Sequence, residues 1–392
     1  MKRILVLSFY YHPDLSAGSF RCKALVDELA KTKSFVHVVT TTPNRYNSYK
    51  VEAEKSTRDN NVLIDRVPIP SHLSGMFDQI NAFFAFYRGA KKLVEVNNYD
   101  LVFATSSRLF TAFLGAKIAR KKRLPLYLDI RDLFVDTISN ILPPVIVWMA
   151  KIVFLYIERY TFNSAIRINL VSGGFISYFK ELYPNIPISL FTNGIDKEFI
   201  KASQADSTFQ KPERTINILY AGNIGAGQGL HKVLPAMADK LKNKVNIKVI
   251  GSGGLIQELK DEVSRLCLDN IQIYPPVDRD TLIKEYNKTD VLFLHLNNYP
   301  AFKKVLPSKL FEYASISKPI LAGLSGYSYT FAKTEIADCS LFFPTDINGA
   351  LKAFSDINFD IQPREGFIKK YNREKIMRLM AEEILQFTRT HD

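Results

Sequence analysis

The sequence predicts an α/β protein made of two Rossmann-like, doubly wound domains. Three observations lead there. At 392 residues the chain is too long for one ordinary core, and 47% hydrophobic content without low-complexity tracts makes two packed domains the expectation. Short runs that are apolar nearly throughout alternate with helical stretches, the mark of parallel sheets covered on both faces. The same scheme occurs twice, once in each half.

In the first half the strand-like runs are Ile4–Phe9, Val36–Thr40, Leu101–Ala104, Leu126–Ile130, Ile166–Val171 and Ile188–Phe191. In the second they are Ile216–Ala221, Val245–Ile250, Ile271–Tyr274, Val291–Leu294, Pro319–Ala322 and Leu341–Phe343. A polar stretch containing Ser203-Gln204-Ala205-Asp206-Ser207-Thr208 reads as a linker. The expected division is therefore an N-terminal domain over 1–195, a linker over 196–215, a second domain over 216–365, and a tail over 366–392. That tail reads as a helix from about Phe367 to Phe387 that packs back on the first domain.

Composition narrows the class. Cys22, Cys267 and Cys339 stand far apart and are odd in number, which argues against a disulfide framework or a zinc site and fits a reducing cytoplasm. The basic start Met1-Lys2-Arg3 leads into an apolar run without a small-residue cleavage site, so it reads as a first strand. The longest apolar tract, Pro143 to Phe162, is interrupted by Lys151, Glu158 and Arg159, too soon for a spanning helix. The net charge of +13 is uneven: residues 1–195 hold 25 Lys+Arg against 15 Asp+Glu, or +10, leaving +3 for the rest. A basic first half points to an anionic partner: nucleic acid, a membrane surface or a phosphorylated acceptor.

Candidate ligand loops follow strands in both halves. Ala17-Gly18-Ser19-Phe20-Arg21 is one; Ala221-Gly222-Asn223 through Gln228-Gly229 is another, with a helix expected from Leu230; Gly251-Ser252-Gly253-Gly254 is a third. Glycine lets a backbone approach a ligand, and a following helix offers unpaired N–H groups to an anion. Neither of the first two matches the strict dinucleotide fingerprint, and plain strand-to-helix turns fit them as well. Leu306-Pro307-Ser308-Lys309-Leu310-Phe311-Glu312-Tyr313 is more telling. Proline suits a helix start, Ser308 suits a cap, and Lys309 lies where the helix dipole already favours negative charge. Glu312, four residues after Ser308, suits two vicinal ribose hydroxyls. A capped surface helix with a Lys309–Glu312 pair fits the same residues.

Arg131 and Asp132 follow the strand Leu126–Ile130 and can both project beyond its carboxyl end, or Asp132 can cap a following helix. Of the scattered histidines, only His12 lies beside a candidate ligand loop. Over Met76 to Val96, Phe77, Ile80, Phe83, Phe84 and Tyr87 recur at helical spacing beside Arg88, Lys91 and Lys92. Such a helix suits an anionic membrane interface; core packing is the alternative for its aromatics.

Taken together these segments resemble the retaining GT-B glycosyltransferases of the family-four group, in particular the bacterial branch that adds sugars such as N-acetylfucosamine to lipid-linked surface polysaccharide (O-antigen or capsule). The carriers are Tyr10-Tyr11-His12-Pro13 through Arg21, Leu128-Asp129-Ile130-Arg131-Asp132-Leu133, Thr192-Asn193-Gly194-Ile195-Asp196, Tyr220-Ala221-Gly222-Asn223-Ile224-Gly225 with Gln228-Gly229, and Pro307 to Tyr313. The resemblance implies two domains facing a cleft, a nucleotide-diphosphate sugar in the second and an acceptor in the first. It implies catalytic roles for Lys309, Glu312, Asp132 and Arg131, and donor contacts at Gly18, Arg21, Gly222, Asn223, Gln228, Gly251, Gly253, Val277, Pro307, Ser308 and Leu310. Phe83, Phe84, Tyr87, Lys91 and Lys92 would meet the membrane and the lipid-diphosphate-linked acceptor.

The chain also departs from the family pattern. Glu312 matches the last Glu of the E-x7-E motif, whereas the first falls on Lys304, which counts against covalent double displacement. The usual Arg and Lys that hold the diphosphate fall on Asn223 and Gln228. The implied enzyme needs no cofactor and no metal, binds no nucleic acid, and works in the cytoplasm at the inner face of the cell membrane. Two rivals use the same fold, a nucleotide-sugar epimerase and a nucleotide-sugar-binding protein that has lost its chemistry.

Overall fold

The computed structural model describes all residues except 45–50, 71–75, 107–108, 134–143, 204–212, 362 and 390–392, together with the side chains of 76–79, 144–150 and 203. The chain divides into two compact units, Met1–Asn193 with Arg373–Asp392, and Gly194–Asn372.

Unit 1 holds an eight-stranded sheet in the order β3-β4-β2-β1-β5-β6-β7-β8. Its centre is β1 (Lys2–Leu7), with β2 (Ser34–Thr41) on one side and β5 (Leu101–Thr105), β6 (Leu126–Ile130), β7 (Arg167–Leu170) and β8 (Ile188–Ser189) on the other, all parallel. Ile4, Leu5, Val6 and Leu7 are each fully buried, as strands covered on both faces must be. The edge hairpin β3 (Ser56–Asp59) and β4 (Val62–Val67) is absent from the sequence expectation. Its outer strand, Ser-Thr-Arg-Asp, is polar and mostly exposed, a guarded edge with no apolar run to reveal it.

Around this sheet lie α1 (Ala17–Ala30), α2 (Met76–Glu95), α3 (Leu109–Lys122), α4 (Pro144–Phe162) and α5 (Ile176–Leu182). Among the described residues no helix is long and apolar enough to cross a membrane.

Unit 2 is a six-stranded, wholly parallel sheet ordered β11-β10-β9-β12-β13-β14. The strands are β9 (Ile216–Asn223), β10 (Val245–Ser252), β11 (Ile271–Tyr274), β12 (Val291–His295), β13 (Ile320–Gly323) and β14 (Cys339–Phe342). Its helices are α6 (Lys197–Ser203), α7 (Leu234–Lys240), α8 (Ile256–Arg265), α9 (Arg279–Lys288), α10 (Ser308–Ser315), α11 (Gly326–Glu335), α12 (Ile347–Ser355) and α13 (Glu365–Lys370). The core gathers Ile218 and Tyr220 of β9, Ile247 and Val249 of β10 and Phe293 of β12 with Val233, Met237 and Leu259 from the covering segments.

Helix α6 occupies the start of the stretch expected to be linker; the rest of that stretch, up to 212, lies outside the described residues. The last helical region is two helices rather than one. Helix α13 stays with unit 2, the chain breaks at Tyr371 and Asn372, and α14 (Arg373–Gln386) packs on α1 in unit 1.

Candidate functional site

In unit 2 the sequence-predicted donor residues converge at the carboxyl ends of β9 and β10 and the start of α10. The strands run further than their apolar residues suggest, so Gly222 and Gly251 are paired strand residues and not turn residues. The reason for glycine is close approach: a Cβ on Gly251 would lie 1.9 Å from the Gly222 carbonyl oxygen, and one on Gly253 would lie 2.4 Å from the Ile224 carbonyl oxygen. The Lys309 stem passes over this bare backbone, since a Cβ on Gly222 would meet Lys309 Cε at 3.7 Å.

Pro307 precedes α10, and no side chain caps the helix, so Ser308 is a first-turn residue and not the expected cap. The opening N–H groups of α10 are thus left for an outside acceptor, where the helix dipole is positive. Leu310 is not among the available donors: its side chain is fully buried and its N–H donates to the Pro307 carbonyl at 3.2 Å.

Lys309 Nζ donates to Glu312 Oε2 at 2.7 Å and to Tyr286 Oη at 2.8 Å, and Tyr286 Oη–H reaches the same carboxylate oxygen at 3.3 Å. The ammonium stands 5.6 Å from the Tyr286 ring centre and 6.0 Å from that of Tyr313. Burial raises the Tyr286 hydroxyl well above its ordinary pKa, with Glu312 adding to the effect, so it remains a donor. The Lys309–Glu312 pair therefore forms as its spacing allows, inside an aromatic setting rather than on an open surface.

Sequence reading missed the other side of this cluster. Arg279, at the start of α9, pairs with Asp196 and covers the Phe199 ring at 4.9 Å; Phe199 stacks on Tyr286 at 5.9 Å. Burial opposes the charge of Arg279, but Asp196 and Glu312 outweigh it and raise its pKa. No motif marks Tyr286 or Arg279; only the Asp196 partner lay in a recognised segment. Val277 lies two residues before Arg279, half-buried, in the loop that leads to α9.

Asn223 and Gln228 come together, but on each other: Asn223 Nδ2 donates to Gln228 Oε1 at 2.8 Å. Their loop is fixed from below by His295, a polar residue closing an otherwise apolar strand. Its Nδ1 meets the Gln228 carbonyl at 2.6 Å and its Nε2 accepts the Thr345 N–H at 3.1 Å, which assigns the proton to Nδ1. Burial is the main cause that pushes His295 down to about 4.

Because that value lies below the unfolded one, the unfolded chain binds more protons between pH 6.5 and 4. Stability should fall as the pH is lowered through this window, by at most about 3 kcal/mol from this group. Urea melts at pH 7 and pH 4.5 check this: wild type should lose more stability than His295→Gln, and equal losses would remove His295 from the account.

In unit 1 the assignment of Arg21 to donor binding is corrected. Arg21 is 2% exposed and nearly saturated: Nε and Nη2 donate to Asp129 Oδ2 and Oδ1 at 2.9 Å each, Nη1 to the Thr192 carbonyl at 2.7 Å, and Nη2 also to the Phe191 carbonyl at 2.8 Å. It holds loop to strand. Gly18 is buried in the first turn of α1, where Ser16 accepts the Ser19 N–H as a cap. His12 is exposed beside these segments, and its carbonyl accepts a hydrogen bond from Arg66.

Asp132 is exposed, and Arg131 is half-buried, with its backbone N–H donating to Ser106 Oγ at 2.9 Å. Of the expected membrane group, Phe83 is corrected to a core residue: it is 6% exposed and packs on Phe110 at 4.7 Å. Phe84 is 52% exposed, Lys91 and Lys92 are exposed, and Tyr87 is half-buried. The Phe77 side chain lies outside the described residues. Among the described residues no group of three or more His, Cys, Asp or Glu side chains is placed to hold a metal ion.

With this geometry in view, residues 203–353 match the family model "Glycosyl transferases group 1". The alpha-monoglucosyldiacylglycerol synthase of Streptococcus pneumoniae is 25% identical over 293 residues, 69% of this chain and 60% of the relative, so the chain spans about three fifths of that protein. Among solved structures, the sucrose-phosphate synthase of Thermosynechococcus elongatus superposes with a TM-score of 0.76 at 14% identity, covering 98% of this chain and 99% of that one. Anabaena HepE in complex with UDP and glucose gives 0.66 at 13%, covering 98% and 100%. WaaG, a glycosyltransferase involved in lipopolysaccharide biosynthesis, gives 0.63 at 14%, covering 97% and 95%. The fold is GT-B.

Proposed function

We propose, from the group 1 glycosyl transferase domain of residues 203–353, that the chain is a retaining glycosyltransferase. It moves a sugar from a nucleotide-diphosphate donor to a lipid-diphosphate-linked acceptor in surface polysaccharide assembly. The observation that carries the reading is the uncapped start of α10, with Lys309 lying over Gly222 and paired to Glu312. An arriving diphosphate supplies a better partner for both the helix N-terminus and the ammonium. As Lys309 turns to it, Glu312 Oε2 is released to accept the ribose hydroxyls.

The leaving diphosphate is then stabilised by the helix dipole, backbone N–H groups and Lys309, without a metal. With lysine at 304 there is no carboxylate at that position to form a covalent sugar intermediate. UDP is the favoured nucleotide, supported by HepE, which is described in complex with UDP and glucose. A lipid acceptor is supported by the kinship with a diacylglycerol glycolipid synthase and by the basic first half. Phe84 with Lys91 and Lys92 on α2 would rest on an anionic inner-membrane surface. Unit 1 holds the acceptor, with Arg131 and Asp132 orienting it.

The test is a thermal melt with nucleoside diphosphates, followed by product analysis on vesicles carrying a lipid-diphosphate sugar. UDP at a hundred times its Kd should stabilise by about 2.7 kcal/mol, and the product should keep the donor's anomeric configuration. Indifference to every nucleoside diphosphate would overturn the donor site; donor binding without any transfer would leave a sugar-nucleotide binder. Salt-insensitive failure to sediment with anionic vesicles would remove the membrane surface.

A further inference from the structure

Position 286 holds a tyrosine where packing alone calls only for an aromatic ring. Tyr286 lies on α9, 26 positions before Glu312 of α10, and is fully buried. Its ring stacks on Phe199 at 5.9 Å and stands edge-on to Tyr313 at 5.4 Å. Tyr313 Oη in turn accepts the Ala221 N–H at 3.2 Å, beside the bare backbone of Gly222. A phenylalanine would fill this stack equally well. The hydroxyl is the addition, and a buried hydroxyl costs stability unless it is bonded. Its partners are Lys309 and Glu312, the pair that the donor site uses.

The direction of these bonds follows from the chemistry of the groups. An ammonium only donates, so Tyr286 Oη accepts from Lys309 Nζ at 2.8 Å and turns its own proton to Glu312 Oε2 at 3.3 Å. Burial, with the Glu312 charge adding to it, keeps that proton on the hydroxyl. While Lys309 holds Oε2 at 2.7 Å, the Tyr286 bond is the longer and weaker of the two. Once the ammonium turns to a diphosphate the order reverses: Glu312, only 7% exposed, keeps Tyr286 as a donor, and Oη is no longer shared. A neutral donor suits that place, since it carries no charge for the diphosphate to draw away. Arg279, bound to Asp196, also acts on Glu312 through its charge.

We propose that Tyr286 is a positioning residue for donor recognition: its hydroxyl holds Glu312 Oε2 after Lys309 has moved, so that the carboxylate stays aligned with the two ribose hydroxyls. A carboxylate accepts about four hydrogen bonds, so one from Tyr286 leaves room for both. The role rests on the ribose contact of Glu312 proposed above and supplies what keeps that contact in place.

The experiment is calorimetric titration of the full chain with UDP and with 2′,3′-dideoxyuridine diphosphate, which lacks both ribose hydroxyls. Wild type should bind UDP about tenfold more tightly than the dideoxy compound. Tyr286→Phe should weaken UDP by about tenfold and leave the dideoxy compound within about twofold of wild type, so that the preference collapses. Normal binding of the dideoxy compound shows in the same titration that the variant is folded. Glu312→Ala should lose the preference too, and adding Tyr286→Phe to it should not change the ratio further.

An unchanged preference in Tyr286→Phe overturns the role, because Arg279 and packing would then suffice to hold Glu312. An equal loss for both nucleotides overturns it as well and makes the hydroxyl a support for the fold of the site rather than for the ribose contact. Failure of the donor reading looks different: wild type binds neither nucleotide, or binds both alike.

Discussion

Lys309→Ala should weaken UDP binding roughly a hundredfold, close to 3 kcal/mol, the upper range for loss of a hydrogen bond to a charged group. Turnover should fall at least as far, because the same ammonium faces the charge that grows on the leaving diphosphate. The expectation is large because neighbouring positions cannot compensate. Asn223 and Gln228 are neutral and bonded to each other, and Arg279 is held by Asp196. Lys309→Met separates charge from packing: it keeps an apolar stem over Gly222 and the Tyr286 ring, so it should fold like wild type yet bind UDP as poorly as alanine. Calorimetry with UDP on the three proteins reads this directly. A Kd for Lys309→Ala within threefold of wild type would show that the 2.7 Å pair with Glu312 is its whole role.

That pair also shows how far the sequence could be read. Residues 309 and 312 sit one helical turn apart, so their contact, and the helix start before them, follow from local geometry. The parallel sheets were equally legible, because strands such as Ile4 to Leu7 are buried on both faces and carry no polar residue to obscure them. Contacts distant in sequence were not. Tyr286 reaches Glu312 across 26 positions and Arg21 reaches Asp129 across 108, and no local pattern announces either. Arg21 misled for a physical reason: beside a glycine-bearing helix start, an arginine that grips a ligand and one that grips a buried aspartate look alike until the partner strand is placed. Phe83 and Phe84 are adjacent, yet one packs on Phe110 and the other is half exposed, a division that depends on where α3 lies.

The largest loss of stability should come from Arg21→Met. Asp129 is left buried with only the Asn169 hydrogen bond and the more distant charge of Arg131 to support it, and removing one partner of such a pair costs about 3–5 kcal/mol. The effect has a pH signature that separates it from simple loss of packing. In the wild type, burial alone would raise the Asp129 pKa, but the Arg21 charge and its hydrogen bonds, aided by Arg131 and Asn169, hold it below the ordinary carboxylate value. A depressed folded pKa contributes stability that is present above the unfolded pKa and lost as the pH falls through the folded one.

In Arg21→Met the balance tips toward burial, so protonation of Asp129 relieves the variant where it harms the wild type. The gap between the two proteins should therefore narrow steadily in urea melts taken from pH 7 down to pH 4. Adding Asp129→Asn to Arg21→Met removes the stranded charge and should recover part of the loss at pH 7 while flattening the pH dependence. A gap that stays constant with pH, or a double variant no more stable than Arg21→Met, would mean that Arg21 acts through packing on Met380 and the carbonyls of Phe191 and Thr192 rather than through Asp129.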